Sequence, residues 1–426
     1  LLALIAIGGV LRARTVFTHP LWFDEADTWR ASVMDPRLSA FDENGLVKPV
    51  PMAYSKFFLW KNHFETAPLT FLLVRVSTDL TGTDAAWAMR LPSLIAGILC
   101  IPAAFWLGRV VHSPLLGLIV AALVAFDPNA VDQARQARMY SLLLLLLLIA
   151  AAWAIKLVRA PSRQGGAEGG QPSDTSSAPA VSAQGRTTAD RAPTEPPCRD
   201  GAPVFQWMGL GVVLGLLICT SQFTTAVWFG LAIGIGALLA LGLITKQPHP
   251  QTFKVAAGLA LAYVVGLLVA NLGVLGIVNR VLYGGPGDGA GMTTAKIARE
   301  IATSAKDLIN LGMAGLIVYP LAAVGLFLLL KRCKTSTAIL VGLAATNLLV
   351  LFPFRKMHHF MDPRYLMIIQ PAMWVGLGML IVGFRRQALR GTGIALVVAY
   401  LGLQAYKSPI GLDAFPQQPD RYLFTQ

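Results

Sequence analysis

Leu142-Leu143-Leu144-Leu145-Leu146-Leu147-Leu148-Ile149-Ala150-Ala151-Ala152 runs eleven residues without a charge or a turn former, and cation-bearing segments flank it, Arg135 to Arg138 before and Lys156 to Arg159 after. Read outward to 139–158, it reaches the roughly 20 apolar residues that a helix needs to cross a hydrocarbon core. Val255 to Val278 is a second charge-free stretch of the same kind. Lipid offers the backbone no hydrogen-bond partner, so such runs must be helices, and the two-residue alternation of a barrel strand is absent. The whole chain agrees: 426 residues, 55% hydrophobic, 13% charged, mean hydropathy +0.60. A soluble domain carries about 25% charged residues.

The pattern predicts an all-α polytopic membrane protein of about eleven spans, near 1–17, 87–110, 114–127, 139–158, 204–221, 223–244, 254–278, 308–330, 336–353, 364–384 and 391–405. The net charge of +13 does not imply nucleic acid, because the basic residues sit in short loops between apolar spans. Arg109 with His112, Lys156/Arg159/Arg163, Lys246/Lys254, Lys331/Arg332/Lys334 and Arg385/Arg386/Arg390 all fall on one side, which the positive-inside rule makes cytoplasmic. Reading 69–80 as a further span would invert everything downstream. Its shortness, with Arg75 and Asp79, points instead to a helix along the surface. The chain begins at Leu1 partway through an apolar run, which reads as a trimmed first span rather than a signal peptide. Cys100 and Cys219 lie in spans, and Cys198 and Cys333 fall on the reducing side, so no disulfide framework is expected.

This orientation divides the chain into an amino-terminal membrane module, 1–158, with a large periplasmic loop at 18–86; a linker, 159–203; a carboxy-terminal membrane module, 204–405; and a periplasmic tail, 406–426. The linker is built of Ala, Ser, Pro, Gly, Gln and Thr and cannot bury enough apolar surface to fold. The first outer loop holds nine of the 22 acidic residues. It is expected to carry helices lying in the interface.

Five clusters on the outer face have the residue types for chemistry. The first is Trp22-Phe23-Asp24-Glu25-Ala26-Asp27, two adjacent carboxylates just after the opening span. A carboxylate that loses solvation at a lipid–water boundary becomes a better base. The plainer reading makes Asp24 a helix cap with Glu25 and Asp27 in the first turn, and the two readings are compatible. The second is Asn62-His63-Phe64-Glu65-Thr66-Ala67-Pro68-Leu69, where Pro68 opens a helix and His63 and Glu65 are candidates for substrate contact. The third is Arg90 in Arg90-Leu91-Pro92-Ser93, a candidate contact that can equally snorkel to the interface. The fourth, Arg135-Gln136-Ala137-Arg138-Met139-Tyr140, sets two arginines three apart on one helical face on the side where cations are disfavoured, which a phosphate partner would explain. The fifth is Arg355-Lys356-Met357-His358-His359 running to Arg364-Tyr365. Adjacent histidines without a third ligand make a poor metal site, and a lipid-headgroup patch is the other plain reading.

Taken in order, Trp22-Phe23-Asp24-Glu25-Ala26, Ala67-Pro68-Leu69, Arg90-Leu91-Pro92-Ser93, Arg138-Met139-Tyr140 and Arg364-Tyr365 resemble the motif series of bacterial GT-C-fold glycosyltransferases, the class of the dolichyl-phosphate-mannose protein mannosyltransferases and the lipid A aminoarabinose transferase. The match covers 1–158 and, beyond it, mainly Arg364-Tyr365. One departure, Thr66-Ala67-Pro68 where the family often has His-Pro-Pro, sets the chain apart from the protein mannosyltransferases. The resemblance implies a polyprenyl-phosphate sugar donor and an acidic first-loop residue as base, with Asp24 in the place of the family's catalytic aspartate and Glu25 beside it. Arg138, Arg355, Lys356, Arg364 and Tyr365 would then hold the donor phosphate, with His63, Glu65, Arg90, Tyr140 and His358 as further substrate contacts. No cofactor is expected, and a divalent metal is permitted but unsupported. The expected partners are the lipid-linked sugar, a glycan, lipid or protein acceptor, and membrane lipids, in a bacterial inner membrane with the site facing out. A transporter or flippase for lipid-linked glycans, or a ligase, is the competing reading. A transporter would place charge deep within its spans, whereas here charge clusters at one face.

Overall fold

The computed structural model describes residues 1–14, 16–17, 21, 25–26, 28–29, 32, 34–41, 47–51, 68–159, 204–221, 224–245, 252–283, 293–308, 315–357, 363–384 and 386–410, with only the backbone course given for 34–41, 47–51, 243, 252, 271–283, 305–308, 315–316, 352–357, 363–365, 404–405 and 407–410. Each apolar run read as a span contains a helix. In chain order these are α1 (Leu2–Ala13), α2 (Pro68–Thr81), α3 (Ala86–Val111), α4 (Pro114–Phe126), α5 (Pro128–Gln133), α6 (Tyr140–Arg159), α7 (Val204–Thr220), α8 (Thr225–Ile244), α9 (Thr252–Tyr283), α10 (Thr294–Leu308), α11 (Gly315–Arg332), α12 (Lys334–Met357), a 3-10 helix η1 (Pro363–Ile369), α13 (Gln370–Val382) and α14 (Gln387–Ile410). Among the described residues, five segments are long and apolar enough to cross a membrane: Ala86–Val111, Tyr140–Arg159, Thr225–Gly242, Phe253–Ala270 and Lys334–Leu351. Shorter apolar helices, including Leu2–Ala13 and Pro114–Phe126, pack among them. The chain is a multi-pass helical membrane protein.

Close packing of such helices depends on small residues, because lipid supplies no hydrophobic drive between them. A methyl group at Gly325 of α11 would lie 1.7 Å from the Gly376 carbonyl oxygen of α13, and one at Gly211 of α7 would lie 2.5 Å from the Ala262 oxygen of α9. Gly230 and Gly234 of α8 meet Gly342 and Ala338 of α12 in the same way. Trp374, fully buried on α13, fills the centre.

Helix starts follow local chemistry. Ser113 caps α4 by accepting from the Leu116 amide at 3.3 Å, and Pro114 takes the first helical position. Asp127 repeats the device for α5, accepting from the Ala130 amide at 2.9 Å ahead of Pro128. At the other ends, arginines satisfy terminal carbonyls that have no partner within their helix. Arg159 donates to Val110 O and, at 2.9 Å, to Val111 O; Arg332 donates to Gly383 O at 2.7 Å and meets His112 Nε2 at 3.3 Å. Arg390 donates to Ile381 O at 3.1 Å. Four of the basic junctions read from the sequence as sharing a side therefore touch one another, at what is here called the linker end of the bundle.

Three local features depart from the sequence reading. The first loop, expected to carry interfacial helices, has helical backbone at Glu25, Ala26, Thr28, Trp29 and Ser32 but also an antiparallel pair, β1 (Met34–Phe41) with β2 (Val47–Pro51), register Phe41 to Val47 and Met34 to Pro51. The chain from Ala134 to Met139 is not helical, so Arg135 and Arg138 do not share a helical face. The Ala137 amide, which a continuing α5 would direct at Gln133 O, donates instead to the Glu25 carboxylate at 2.7 Å. Helix α10 was not expected. It buries Ile297, Ile301 and Ser304 and packs against η1, α11 and α12.

Candidate active site at the first-loop end

The site is built around a buried ion pair. Glu25 is fully buried, and both its oxygens are engaged by Arg90 of α3, Nε to Oε1 at 2.8 Å and Nη2 to Oε2 at 2.6 Å. Arg90 Nη1 continues to Val16 O at 3.2 Å, where the chain leaves α1. With the Ala137 amide also on Oε1, one carboxylate ties together the first loop, the start of α3 and the segment before α6. Trp29 Nε1 donates to Asp84 Oδ2 at 3.3 Å, and a small apolar cluster of Val74, Met89 and Ala137, with Leu21 and Trp29 against it, fills the angle between these parts. Ser93 Oγ donates to Arg138 O at 2.8 Å, so α3 fixes the backbone that presents Arg138.

These contacts bear on two sequence expectations. Glu25, expected beside Asp24 as a catalytic carboxylate, accepts from Arg90 and a backbone amide and so joins the first loop to α3 and to the segment before α6. Arg90, buried at 4% exposure, turns inward to that carboxylate instead of snorkelling to the interface. Tyr140 opens α6 and is packed in the main core at 4% exposure.

Beneath the clamp lies a residue the sequence reading passed over. Arg12, near the end of α1, is fully buried and donates to Val124 O at 2.8 Å and Ala125 O at 3.1 Å, the last turn of α4, and to its own Gly8 O at 3.1 Å. A cation at a helix C-terminus meets both the orphan carbonyls and the negative end of the macrodipole. Glycines make room for it. A methyl at Gly97 would sit 2.4 Å from Ala134 Cβ, and one at Gly8 would sit 2.5 Å from Ile101 Cδ1. The signal was visible: an arginine inside an apolar run costs energy and asks for a partner. Arg135 is 3% exposed and donates to Leu11 O. Burial pulls its pKa down to about 10, with Asp132 opposing and the repulsion of Arg12 and Arg14 adding to the fall, so it stays charged at neutral pH.

The remaining candidates distribute as follows. Arg355 and Lys356 fall in the last turn of α12, and Arg364 and Tyr365 fall in η1. That 3-10 helix packs against α6, α10, α12 and α13. Asp24, His63, Glu65 and His358 lie outside the described residues. Among the described residues, no three His, Cys, Asp or Glu side chains come together.

With this geometry in hand, the course of the whole chain can be set beside solved structures. It superposes on ArnT from Cupriavidus metallidurans bound to undecaprenyl phosphate with a TM-score of 0.53 at 14% identity, covering 93% of this chain and 63% of that one. The apo form of ArnT gives 0.54 at 12%, covering 96% and 72%. The oligosaccharyltransferase AglB from Archaeoglobus fulgidus, in complex with an inhibitory peptide and a dolichol-phosphate, gives 0.53 at 10%, covering 99% and 56%. The fold is GT-C. No protein-family profile and no curated protein matches the chain by sequence. The chain spans between about half and three quarters of the length of these GT-C proteins.

Proposed function

We infer that this chain is an inverting glycosyltransferase that moves a sugar from a polyprenyl phosphate to an acceptor hydroxyl on the outer face of a bacterial inner membrane. The observation that carries the reading is the Glu25 clamp. It holds Glu25 of the first loop against the segment presenting Arg138, which supports a reading in which the preceding residue, Asp24, works beside that cation. Support for a lipid-borne donor comes from the GT-C fold, two of whose solved examples carry undecaprenyl phosphate or dolichol-phosphate.

In this reading Asp24 accepts the proton of the acceptor hydroxyl as its oxygen attacks the anomeric carbon. The bond from that carbon to the phosphate oxygen breaks, and the polyprenyl phosphate leaves with the electron pair. Arg138, Arg364, Lys356 and Arg355 would stabilise the leaving phosphate by charge-assisted hydrogen bonds in a poorly hydrated site, with Tyr365 beside them. A single displacement inverts the anomeric centre. His63, Glu65 and His358 remain candidate acceptor or sugar contacts, and the positive-inside pattern supports the periplasmic assignment.

The test is product formation by purified protein in lipid with a panel of polyprenyl-phosphate sugars, comparing wild type with Asp24→Asn. We expect transfer by the wild type, with an inverted anomeric linkage, and none by the variant at unchanged yield and melting temperature. Full transfer by Asp24→Asn removes the assigned base, and a retained anomeric configuration removes the single displacement.

A further inference from the structure

The other end of the bundle carries a second cationic site that the transfer reaction does not use. Three cationic or titratable side chains converge there from three helices: His112 at the end of α3, Arg159 at the end of α6 and Arg332 at the end of α11. Each arginine is braced on helix-terminal carbonyls, Arg159 on Val110 and Val111 and Arg332 on Gly383, so its position is fixed before any ligand arrives. Neither arginine spends all of its five donors on these bonds. Arg109, Lys156, Lys331 and Lys334 lie on the same helix ends. Among the described side chains, the carboxylates of Glu25, Asp79, Asp84, Asp127 and Asp132 lie in the first loop, α2 or the segment before α6, and Glu300 lies on α10, which packs against η1, α11 and α12. The cluster is thus a set of like charges, and among the described residues none of the three side chains is ion-paired to a carboxylate. Burial, then Arg332 and Arg159, lower the His112 pKa.

Its surroundings are apolar. Leu115, three residues after His112, is 51% exposed; Phe327, whose ring lies 4.5 Å below Lys331 Nζ, is 54% exposed, and Leu330 is 43% exposed. Fixed cations at the ends of membrane helices, with exposed apolar side chains within a turn, match an amphiphile better than a soluble anion. Basic pockets between helices at a membrane surface are recognised lipid-headgroup sites. We propose that His112, Arg159 and Arg332 form a binding site for the phosphodiester of an anionic phospholipid in the leaflet at this end, its acyl chains lying along Leu115 and Phe327. The site is independent of sugar transfer and does not rest on that reading.

The test uses the full-length protein delipidated in a neutral detergent, with phosphatidylglycerol, phosphatidylcholine and inorganic phosphate added separately. The readouts are melting temperature and the number of lipids retained in native mass spectrometry. We expect stabilisation and retention with phosphatidylglycerol alone. Arg159→Gln and Arg332→Gln should each weaken the preference for the anionic lipid about fivefold, the equivalent of one cation near a charged lipid surface, while Arg332→Lys keeps most of it. Equal responses to the two lipids, or an undiminished preference in the double glutamine variant, would overturn the proposal. A response to inorganic phosphate as large as that to phosphatidylglycerol would make the site one for a free anion. Because the double variant can fail to insert, phosphatidylglycerol with a photoreactive headgroup gives an independent reading on the wild type. Labelling within 109–118, 156–159 or 327–334 is expected, and labelling confined to other segments refutes the assignment.

Discussion

Replacing Glu25 by glutamine is the sharpest perturbation this structure offers, because the change is isosteric and the charge it removes is held by Arg90 and the Ala137 amide. Arg90 would keep its full charge at 5% side-chain exposure, facing an amide that presents it with an oxygen and an NH2 group instead of two acceptor oxygens. Removing one partner of a buried ion pair costs about 3–5 kcal/mol. The Ala137 amide would exchange a carboxylate acceptor at 2.7 Å for a neutral one, adding about 1 kcal/mol. Against a typical total stability of about 5–15 kcal/mol, that is a large fraction. Arg90→Met should cost a similar amount by taking the bidentate cation away from the buried Glu25 carboxylate. The double replacement, Glu25→Gln with Arg90→Met, should recover about 1–3 kcal/mol of the summed cost, since neither charge is then stranded. Unfolding in mixed micelles, followed by tryptophan fluorescence and by accessibility of the buried Cys100, gives all four corners of the cycle. Single-variant costs below about 1 kcal/mol, or costs that simply add, would refute the clamp. So would a Glu25→Gln protein with wild-type stability and no transfer activity, because that pattern belongs to a base.

Arg364→Ala should raise the concentration of lipid donor needed for half-maximal transfer by about tenfold or more, with little effect on the acceptor. Unchanged donor dependence would take Arg364 out of the phosphate site. Deleting roughly 165–198 should leave transfer and melting temperature near wild type, since this composition buries no core. A correctly inserted but inactive deletion would show that the linker does more than connect. His112 has its folded pKa lowered below the unfolded value near 6.5, so it favours the folded state fully above that value. In neutral lipid, melting temperature should therefore fall as pH drops below about 6.5, and His112→Gln should flatten that decline; equal slopes would assign the acid sensitivity to other groups.

The helices were legible because charge-free runs of spanning length permit no other backbone structure, and their ends were legible from Ser113-Pro114, Asp127-Pro128 and the basic junctions. Tertiary partnership was not. Nothing local says that Glu25 reaches Arg90, 65 residues away, or the Ala137 amide, 112 away, and without the second bond the exit from α5 looks like a continuous helix into α6. The pattern of two arginines three apart was real, but the Ala137 amide had a better acceptor than Gln133 O, and the helix stopped. Arg12 was missed for a related reason. Its carbonyl partners on α4 lie more than a hundred positions along the chain, so only the cost of a charge in an apolar run pointed to it. Helix α10 was missed through inattention to period, since Ile297 and Ile301 are four apart in an otherwise polar stretch.

Helix α4 has 13 residues, which at 1.5 Å of rise per residue makes it about 20 Å long, against about 30 Å of hydrocarbon. From a start at one boundary, its far end stops about 10 Å short of the other. The chain therefore breaks at Asp127 at a depth where water is scarce, and protein groups take up exposed backbone in the stretch that follows: Asp127 accepts from the Ala130 amide, Glu25 from the Ala137 amide, and Ser93 donates to Arg138 O. The bilayer beside this wall has to thin or be kept back by neighbouring helices. Under the proposed reading, a donor anchored by a long isoprenoid tail would then meet this end of the bundle sideways, through the lipid, with its headgroup drawn below the level of the surrounding phosphates.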